Sequence, residues 1–493
     1  MTNRNGSLPV TYPFQADKYR KNSTSGTPGQ WYKGTVPPYV APSKRPIVFI
    51  HGINSSSHTW WNGNDMYEIA YFNGFKTAFI DLHSTLDMWD NGRLLASKLE
   101  EIYQHFNEKL IVVAHSKGGI DTQSAMIHYE AIPYVAKVIN LSVPHQGSEL
   151  ADLAFSTWAG WLADIIGNKN EAIKSLQTGY MDYFRSKTDS CSMVDHIPFY
   201  TLSGTGWGSF GSSLYWGGLY LSSYGENDGA ITVERSRLPY TTELRVSDWN
   251  HSEIIKGHST FHLFADHLYE SSTFKSDSHN NRSLEKQKPS AHAYFHGGSY
   301  RGETTETFFV ENDVNTITVN WMSEHEKPNI SLISPGGSVN KSFIPIADSE
   351  TIFKGTYHHM LTIHNPTEGV WKIKALSNQE HYLLGVHFDS AINRYINLEV
   401  RDPLQVGIAS FNTLDNKKMM STIYLEYYKA DMRDSRKLEW QALSSNSFRK
   451  IPNLGEGIYN ITMDLKGKTP QDKDFNRSIV ASFYLDSNGE IVK

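Results

Sequence analysis

The sequence predicts an α/β catalytic domain with a mostly parallel sheet, followed by one or two all-β sandwich domains. Three observations carry this. Between Pro46 and Val246, short near-continuous apolar runs alternate with segments of helical periodicity. Beyond residue 290, short alternating runs separated by turn residues take over. The 493 residues also exceed what one compact unit holds, at roughly 150 residues per domain.

Each element has a local justification. Residues 1–45, rich in Asn, Ser, Thr, Gly and Pro, show no sustained periodicity beyond touches such as Gln30-Trp31-Tyr32, and read as an extended arm. A catalytic domain over 46–270 follows. Its strands are predicted at Pro46 to Ile50, Thr77 to Leu82, Leu110 to Ala114, Val138 to Val143, Phe199 to Leu202 and Leu244 to Val246. Apolar residues at helical spacing mark Leu94 to Phe106 and Gly119 to Tyr129 as helices that cover the sheet. Two further helical stretches, Glu149 to Ile166 and Asn170 to Arg185, form a lid-like insertion at about 149–186. The first carries Leu150, Leu153, Phe155, Trp158 and Trp161, and is either a buried helix pair or an acyl-chain wall over a cleft. The polar, charged segment 271–290 has the character of a linker. Strands spaced by Pro335-Gly336-Gly337 and Asn365-Pro366 predict one sandwich over 291–388, and a second set of strands predicts another over 389–493, with one larger β-domain as the alternative.

Composition narrows the function classes. With 46 basic and 52 acidic residues the formal charge is −6, too small and dispersed for a nucleic-acid binder. No run of 18 apolar residues occurs, so no membrane span is expected. Cys191 stands alone, which excludes an intrachain disulfide or a Cys/His metal cluster.

The chemistry concentrates in Leu110-Ile-Val-Val-Ala-His115-Ser116-Lys117-Gly118-Gly119. A strand ends at Ser116 and a helix begins at once, with Ala114 and Gly118 leaving room for the turn. This is the nucleophile-elbow pattern with Ala in the first glycine position, and it aims the Lys117 amide at a developing oxyanion. Acyl transfer needs a second donor, and the Ile53 amide in His51-Gly52-Ile53, after the first strand, is its natural source. Serine also needs a base, and the base a carboxylate, in the chain order Ser, acid, His. Asp228, in Glu226-Asn227-Asp228-Gly229, and His251, at the exit of the last strand, occupy the expected loops. Asp248 and Asp266 remain rivals for the acid. His258, His262 and His267 lie in or near the final helix, where a structural role is expected.

From about Pro46 to Leu268 the chain resembles the bacterial true lipases of the α/β-hydrolase superfamily. The resemblance rests on His51-Gly52, Ala114 to Gly119, Val143-Pro144-His145-Gln146-Gly147-Ser148, Ser175 to Gly179, Asn227-Asp228-Gly229 and Asn250-His251-Ser252-Glu253, in family order. It implies Ser116 as nucleophile, Asp228 as acid, His251 as base, and the Ile53 and Lys117 amides as the oxyanion hole. Lys117 departs from the His, Met or Gln usual after the nucleophile; its backbone donor is unaffected, while a cation near the pocket would bear on substrate preference. Many relatives hold a structural calcium through a carboxylate two residues beyond the catalytic His. Glu253 stands there, but Ser203 to Gly225 contains no Asp or Glu, so no cofactor and no calcium site of that type is expected. The Pro144 to Ser148 segment is read as a rigid loop shaping the pocket floor. The β-tail resembles immunoglobulin-like modules only in architecture.

These readings converge on a serine carboxylic ester hydrolase, with a lipase acting on acylglycerols or other fatty esters as the leading form. Short-chain esters and aliphatic polyesters are the close alternatives. Trp158 and Trp161, with the Gly- and Trp-rich loop Thr205 to Tyr224, are expected to contact the substrate at an oil–water interface. For the tail, a module that binds substrate or a surface and a merely stabilising appendage are the two expectations. A surface-binding protein with a degenerate hydrolase fold is the reading from another class, and the intact Ser116, Asp228 and His251 set speaks against it. Appended sandwiches and an insoluble substrate favour secretion, although MTNRNGSLPVTYPFQ has no cationic stretch leading into an apolar one.

Overall fold

The computed structural model describes residues 6–7, 26–40, 43–165, 167, 169–269, 291–401, 404–410, 419–430, 435–442 and 448–492. Most of the predicted arm and the whole predicted linker at 271–290 lie outside the described residues.

The first half is an eight-stranded sheet. Its strands are β1 (Gly6–Ser7), β2 (Trp31–Lys33), β3 (Ile47–Ile50), β4 (Thr77–Ile80), β5 (Leu110–His115), β6 (Val135–Leu141), β7 (Phe199–Gly204) and β8 (Thr242–Ser247). The order is β1-β2-β4-β3-β5-β6-β7-β8, and β3 to β8 are parallel throughout, while β2 runs antiparallel to β4. Nine helices accompany it among the described residues: α1 (Met66–Phe72), α2 (Met88–Phe106), α3 (Lys117–His128), α4 (Glu149–Ala154), α5 (Gly160–Ile165), α6 (Glu171–Lys174), α7 (Thr178–Thr188), α8 (Ser213–Leu221) and α9 (Gly257–Phe264).

Period-two alternation divides the strand side chains between two cores. Val48, Ile50, Val112 and Ala114 pack with Leu95 and Leu99 of α2 on one face. Ile47, Phe49, Ile111 and Val113 pack with Met66 of α1 and Phe261 of α9 on the other. Asp87 caps α2 by accepting from the Trp89 and Asp90 amides, and Asn107 closes it in the left-handed conformation. This two-faced burial fixes the carboxyl ends of β3, β5, β6, β7 and β8 side by side, where the loops that follow can converge.

The predicted helix from Glu149 to Ile166 is broken. α4 ends at Ala154, and the Thr157 amide leaves the helical ladder to donate to Thr462 Oγ1 of the tail at 3.0 Å. Ser156 then starts the next turn by accepting from the Ala159 amide through its hydroxyl.

The tail is one large sheet and one small one. The large sheet has eleven strands. They are β9 (Ala293–Val310), β10 (Val314–Ser323), β11 (Asn329–Ile333), β12 (Val339–Asn340), β13 (Ile344–Ala347), β14 (Tyr357–His364), β15 (Gly369–Ser390), β18 (Met420–Lys429), β19 (Ser435–Ala442), β21 (Gly457–Lys468) and β22 (Asp474–Leu485). The small sheet is β16 (Ile396–Arg401), β17 (Gln405–Ser410) and β20 (Arg449–Lys450).

The predicted boundary at 389 does not divide the large sheet: β9 pairs with β15 on one side and meets β22 at Ala293 and Ser478 on the other. Two cores nevertheless exist, one around Val319, Trp321, Ile373 and Leu384 and one around Ile423, Leu425, Ile461 and Phe483. Arg477 of β22 and Glu311, just after β9, form a fully buried ion pair across that boundary. The apolar runs Val370 to Ala375 and Tyr382 to Val386 belong to one strand, β15. A register shift between Ser377 and Glu380 kinks it where Asn378-Gln379 reads as a turn.

The two halves share a core. Leu150, Phe155, Trp216 and Tyr220 of the first half pack with Phe295, Phe353, Met360 and Tyr484 of the tail. Asn460 Nδ2 donates to the Asp152 carbonyl at 2.8 Å and to Gln177 Oε1 at 2.9 Å. At Gly179 a Cβ would lie 2.4 Å from the Phe483 backbone, so only glycine admits this approach of α7 to β22.

Candidate active site

Ser116 sits between β5 and α3 with φ 51° and ψ −135°, a conformation that costs free energy in any residue with a side chain. The surrounding sequence accommodates it. A Cβ on Gly52 would lie 2.8 Å from Ser116 Cβ, one on Gly118 would lie 2.4 Å from the His51 carbonyl oxygen, and one on Gly119 would lie 2.3 Å from Val143 Cγ2. The glycines flanking the turn are therefore steric requirements of the elbow. The Ser116 amide is fixed by the Leu141 carbonyl at 3.0 Å. The Lys117 amide opens α3, where helical geometry offers it no acceptor within the helix.

Asp228 and His251 come together as predicted in sequence. His251 Nδ1 donates to Asp228 Oδ2 at 2.7 Å, and the His251 amide donates to the Asp228 carbonyl at 2.9 Å. Asp228 Oδ1 accepts from the amides of Ala230 at 3.0 Å and Ile231 at 2.8 Å, so the fully buried carboxylate has a donor on each oxygen. These bonds direct His251 Nε2 away from the acid. His115 Nε2 donates to the His251 carbonyl at 3.1 Å, with the two rings 4.6 Å apart. Burial holds the His115 pKa well below the ordinary histidine value, so this ring stays neutral.

The rivals lie elsewhere. Asp248 and Asp266 are exposed, His258 pairs with Asp65 at 3.0 Å, His262 is exposed, and His267 stacks on Tyr200. None of them lines the cavity that holds Ser116 and His251.

That cavity has a volume of about 670 Å³. Gly52, Ile53, Ser116, Leu150, Ile231 and His251 line it from the first half. The Pro144 to Ser148 segment joins its floor: Ser148 lines the cavity, caps α4 through the Leu150 amide, and donates from its hydroxyl to the Ala230 carbonyl at 3.0 Å.

Relatives give this geometry its context. No known family profile matches the chain. Triacylglycerol lipase 2 of Saccharomyces cerevisiae is 24% identical over 272 residues, 45% of this chain and 82% of the relative. The crystal structure of the Bacillus licheniformis lipase BlEst2 in its propeptide form is 41% identical with a TM-score of 0.83, over 95% of this chain and 100% of that chain. The chain belongs to this lipase family. The mature form of BlEst2 is 54% identical with a TM-score of 0.48, over 50% of this chain and 100% of that one.

Three sequence expectations need correction for this lipase-family chain. Trp158 does not face the cavity: its Nε1 donates to Asp464 Oδ2 at 3.0 Å and its ring packs on His296 and Tyr424 of the tail. Trp161 is 55% exposed and also lies off the cavity. The Lys117 ammonium is not a cation at the pocket: its Nζ lies 2.6 Å from Asp121 Oδ1 with both side chains buried. Glu253 is exposed and accepts the Asn250 amide at 3.2 Å. Among the described residues no group of three or more His, Cys, Asp or Glu could hold a metal ion.

One component had no local signal at all. The loop between β13 and β14 reaches from the tail into the cavity, which Ser349, Glu350, Thr351, Ile352 and Lys354 also line. Lys354 Nζ donates to the Asn54 carbonyl at 2.9 Å, beside the Ile53 amide. Asp348 shapes the loop by accepting from the amides of Glu350 at 3.1 Å and Thr351 at 2.9 Å, and from the Thr351 hydroxyl. Burial pushes the Asp348 carboxyl up, but His358 and the Thr351 donors outweigh it and hold it below the usual range.

Proposed function

We propose that the chain hydrolyses carboxylic esters, with fatty esters such as acylglycerols as the leading substrates, through an acyl-enzyme on Ser116. The observation that carries this is the Ser116, His251 and Asp228 set on three adjoining loops around one cavity. In this reading His251 takes the Ser116 proton as Oγ attacks the ester carbonyl, and the Ile53 and Lys117 amides bind the oxyanion. His251 then protonates the departing alcohol, which leaves the acyl group on Ser116. A water molecule, deprotonated by His251, attacks the acyl-enzyme and releases the carboxylic acid. Leu150 and Ile231 on the cavity wall support an apolar acyl chain. The test compares p-nitrophenyl esters of two to sixteen carbons, emulsified triacylglycerol and a polyester film, with Ser116→Ala as control. Turnover on long-chain esters that vanishes in Ser116→Ala is expected; an optimum at two carbons would overturn the lipase form, and full activity of Ser116→Ala the whole assignment.

For the tail, the loop at 349–354 favours a cover over the cleft, in place of the expected binding module. The contact of Lys354 with the oxyanion loop supports this, as does the likeness to a lipase crystallised in a propeptide form. Secretion is part of the proposal, on the grounds of an insoluble substrate and appended β-structure.

A further inference from the structure

The Lys117 side chain is only 2% exposed, and its Nζ meets Asp121 Oδ1 one helical turn on. An unpaired ammonium in this position would be prohibitive, and burying the pair still costs free energy that a pair of apolar residues would not. A structural reason for retaining it lies in what the pair connects. Asp121 Oδ2 accepts from Asn91 Nδ2 of α2 at 3.0 Å. Asn91 holds both backbone groups of His83, donating to its carbonyl at 2.9 Å and accepting its amide at 3.1 Å. The neighbouring Leu82 amide donates to His51 Nε2 at 3.0 Å, and His51 Nδ1 donates to the Gly52 carbonyl at 2.7 Å. Gly52 precedes Ile53. The network thus starts on the side chain of one residue that supplies an oxyanion amide and ends on the peptide that leads to the other.

We infer that Lys117, Asp121 and Asn91 are positioning residues that hold the two oxyanion amides, of Lys117 and Ile53, in fixed mutual register. Their side chains touch neither substrate nor reacting atoms, and the inference rests on the ester-hydrolase reading of Ser116. Two elements that share no strand hydrogen bond at this level, the turn after β3 and the start of α3, are tied through side chains on α2 and the loop after β4. A sub-ångström error in either amide weakens binding of the tetrahedral intermediate more than binding of the planar ester, so the loss falls on kcat. Burial pushes the Asp121 carboxyl up to about 6, against the pull of Lys117, so the tie loosens in acid.

The experiment uses the full chain with turnover counted per fluorophosphonate-titrated Ser116. The double variant Lys117→Met/Asp121→Leu removes both charges at similar volume and is expected to fold at least as stably as the parent. Its kcat is expected to fall by roughly 10- to 100-fold, with KM within about threefold and with slowed fluorophosphonate labelling. A merely structural role would lower the titratable fraction and leave kcat per site unchanged; a kcat within twofold of the parent overturns the proposal. Should the double variant not fold, Asn91→Ala keeps the ion pair and cuts the link, and an unchanged kcat per site there overturns it equally. Failure of the parent to label at Ser116 would instead overturn the ester-hydrolase reading.

Discussion

Asp228 shows how much one side chain settles. Its two oxygens divide the work: Oδ1 holds its own loop through Ala230 and Ile231, and Oδ2 holds His251. Replacing it by Asn keeps the volume but sets an amide where the imidazole N–H must be received, which favours the wrong His251 tautomer. We expect Asp228→Asn to lose roughly 10³- to 10⁴-fold in kcat with little change in thermal midpoint, by ester assay and calorimetry. A loss below tenfold would return the acid role to another carboxylate. Ser116 and His251 were legible in sequence because each sits within a few positions of a strand end that the apolar pattern marks, whereas Asp228, well beyond β7, was legible only through its Gly-containing turn and the chain order Ser, acid, His. The Lys117–Asp121 pair was not read from the sequence: a lysine next to the nucleophile reads as a pocket charge, although i,i+4 spacing on a helix is the signal that would have found its partner. Nothing local says that α2 closes over it with Gly92, where a Cβ would lie 2.5 Å from Ser124 Oγ.

At the scale of elements, the break between α4 and α5 is the point where tertiary contacts override a helical pattern. The turn offers its Thr157 amide and the Trp158 indole to β21, where Asp464 accepts Trp158 Nε1 and the Ser478 hydroxyl. Burial pushes the Asp464 carboxyl up to about 6, which the Ser478 and Trp158 donors only partly offset. A raised carboxyl binds its proton more tightly in the folded chain than in the unfolded one. Its contribution is therefore most favourable below about pH 4 and is lost as pH rises through about 6. Against a non-titrating Asp464→Asn chain, the parent is expected to gain about 2 kcal/mol of relative stability between pH 7 and pH 4, read from denaturant midpoints. No change with pH would mean that the group is ionised throughout. Apolar periodicity named Trp158 and Trp161 as one face of a lid-like helix, but a periodicity cannot tell which body that face meets. Here the body is a sheet some 300 residues further on. The same limit divides β15 into two apolar runs and leaves two sandwiches and one larger β-domain undistinguished in the tail, since a kink and a turn share one composition.

For the whole molecule, the decisive fact is that the tail contributes both a wall of the cavity and half of a core. Of these, the wall is the easier to perturb alone. Lys354→Met removes the ammonium that holds the Asn54 carbonyl without touching the shared core, so the loop is expected to yield and the parent's activity on soluble esters to rise several-fold. Equal or lower activity would argue that the loop serves catalysis instead of obstructing it. The shared core has a further consequence, for temperature. Trp216 and Tyr220 meet Phe295, Phe353 and Met360 chiefly through apolar surface, and such contacts lose strength on cooling while hydrogen bonds do not. The attachment of the tail is thus strongest in warmth and weakens toward freezing, a temperature dependence opposite to that of ordinary chemical rates.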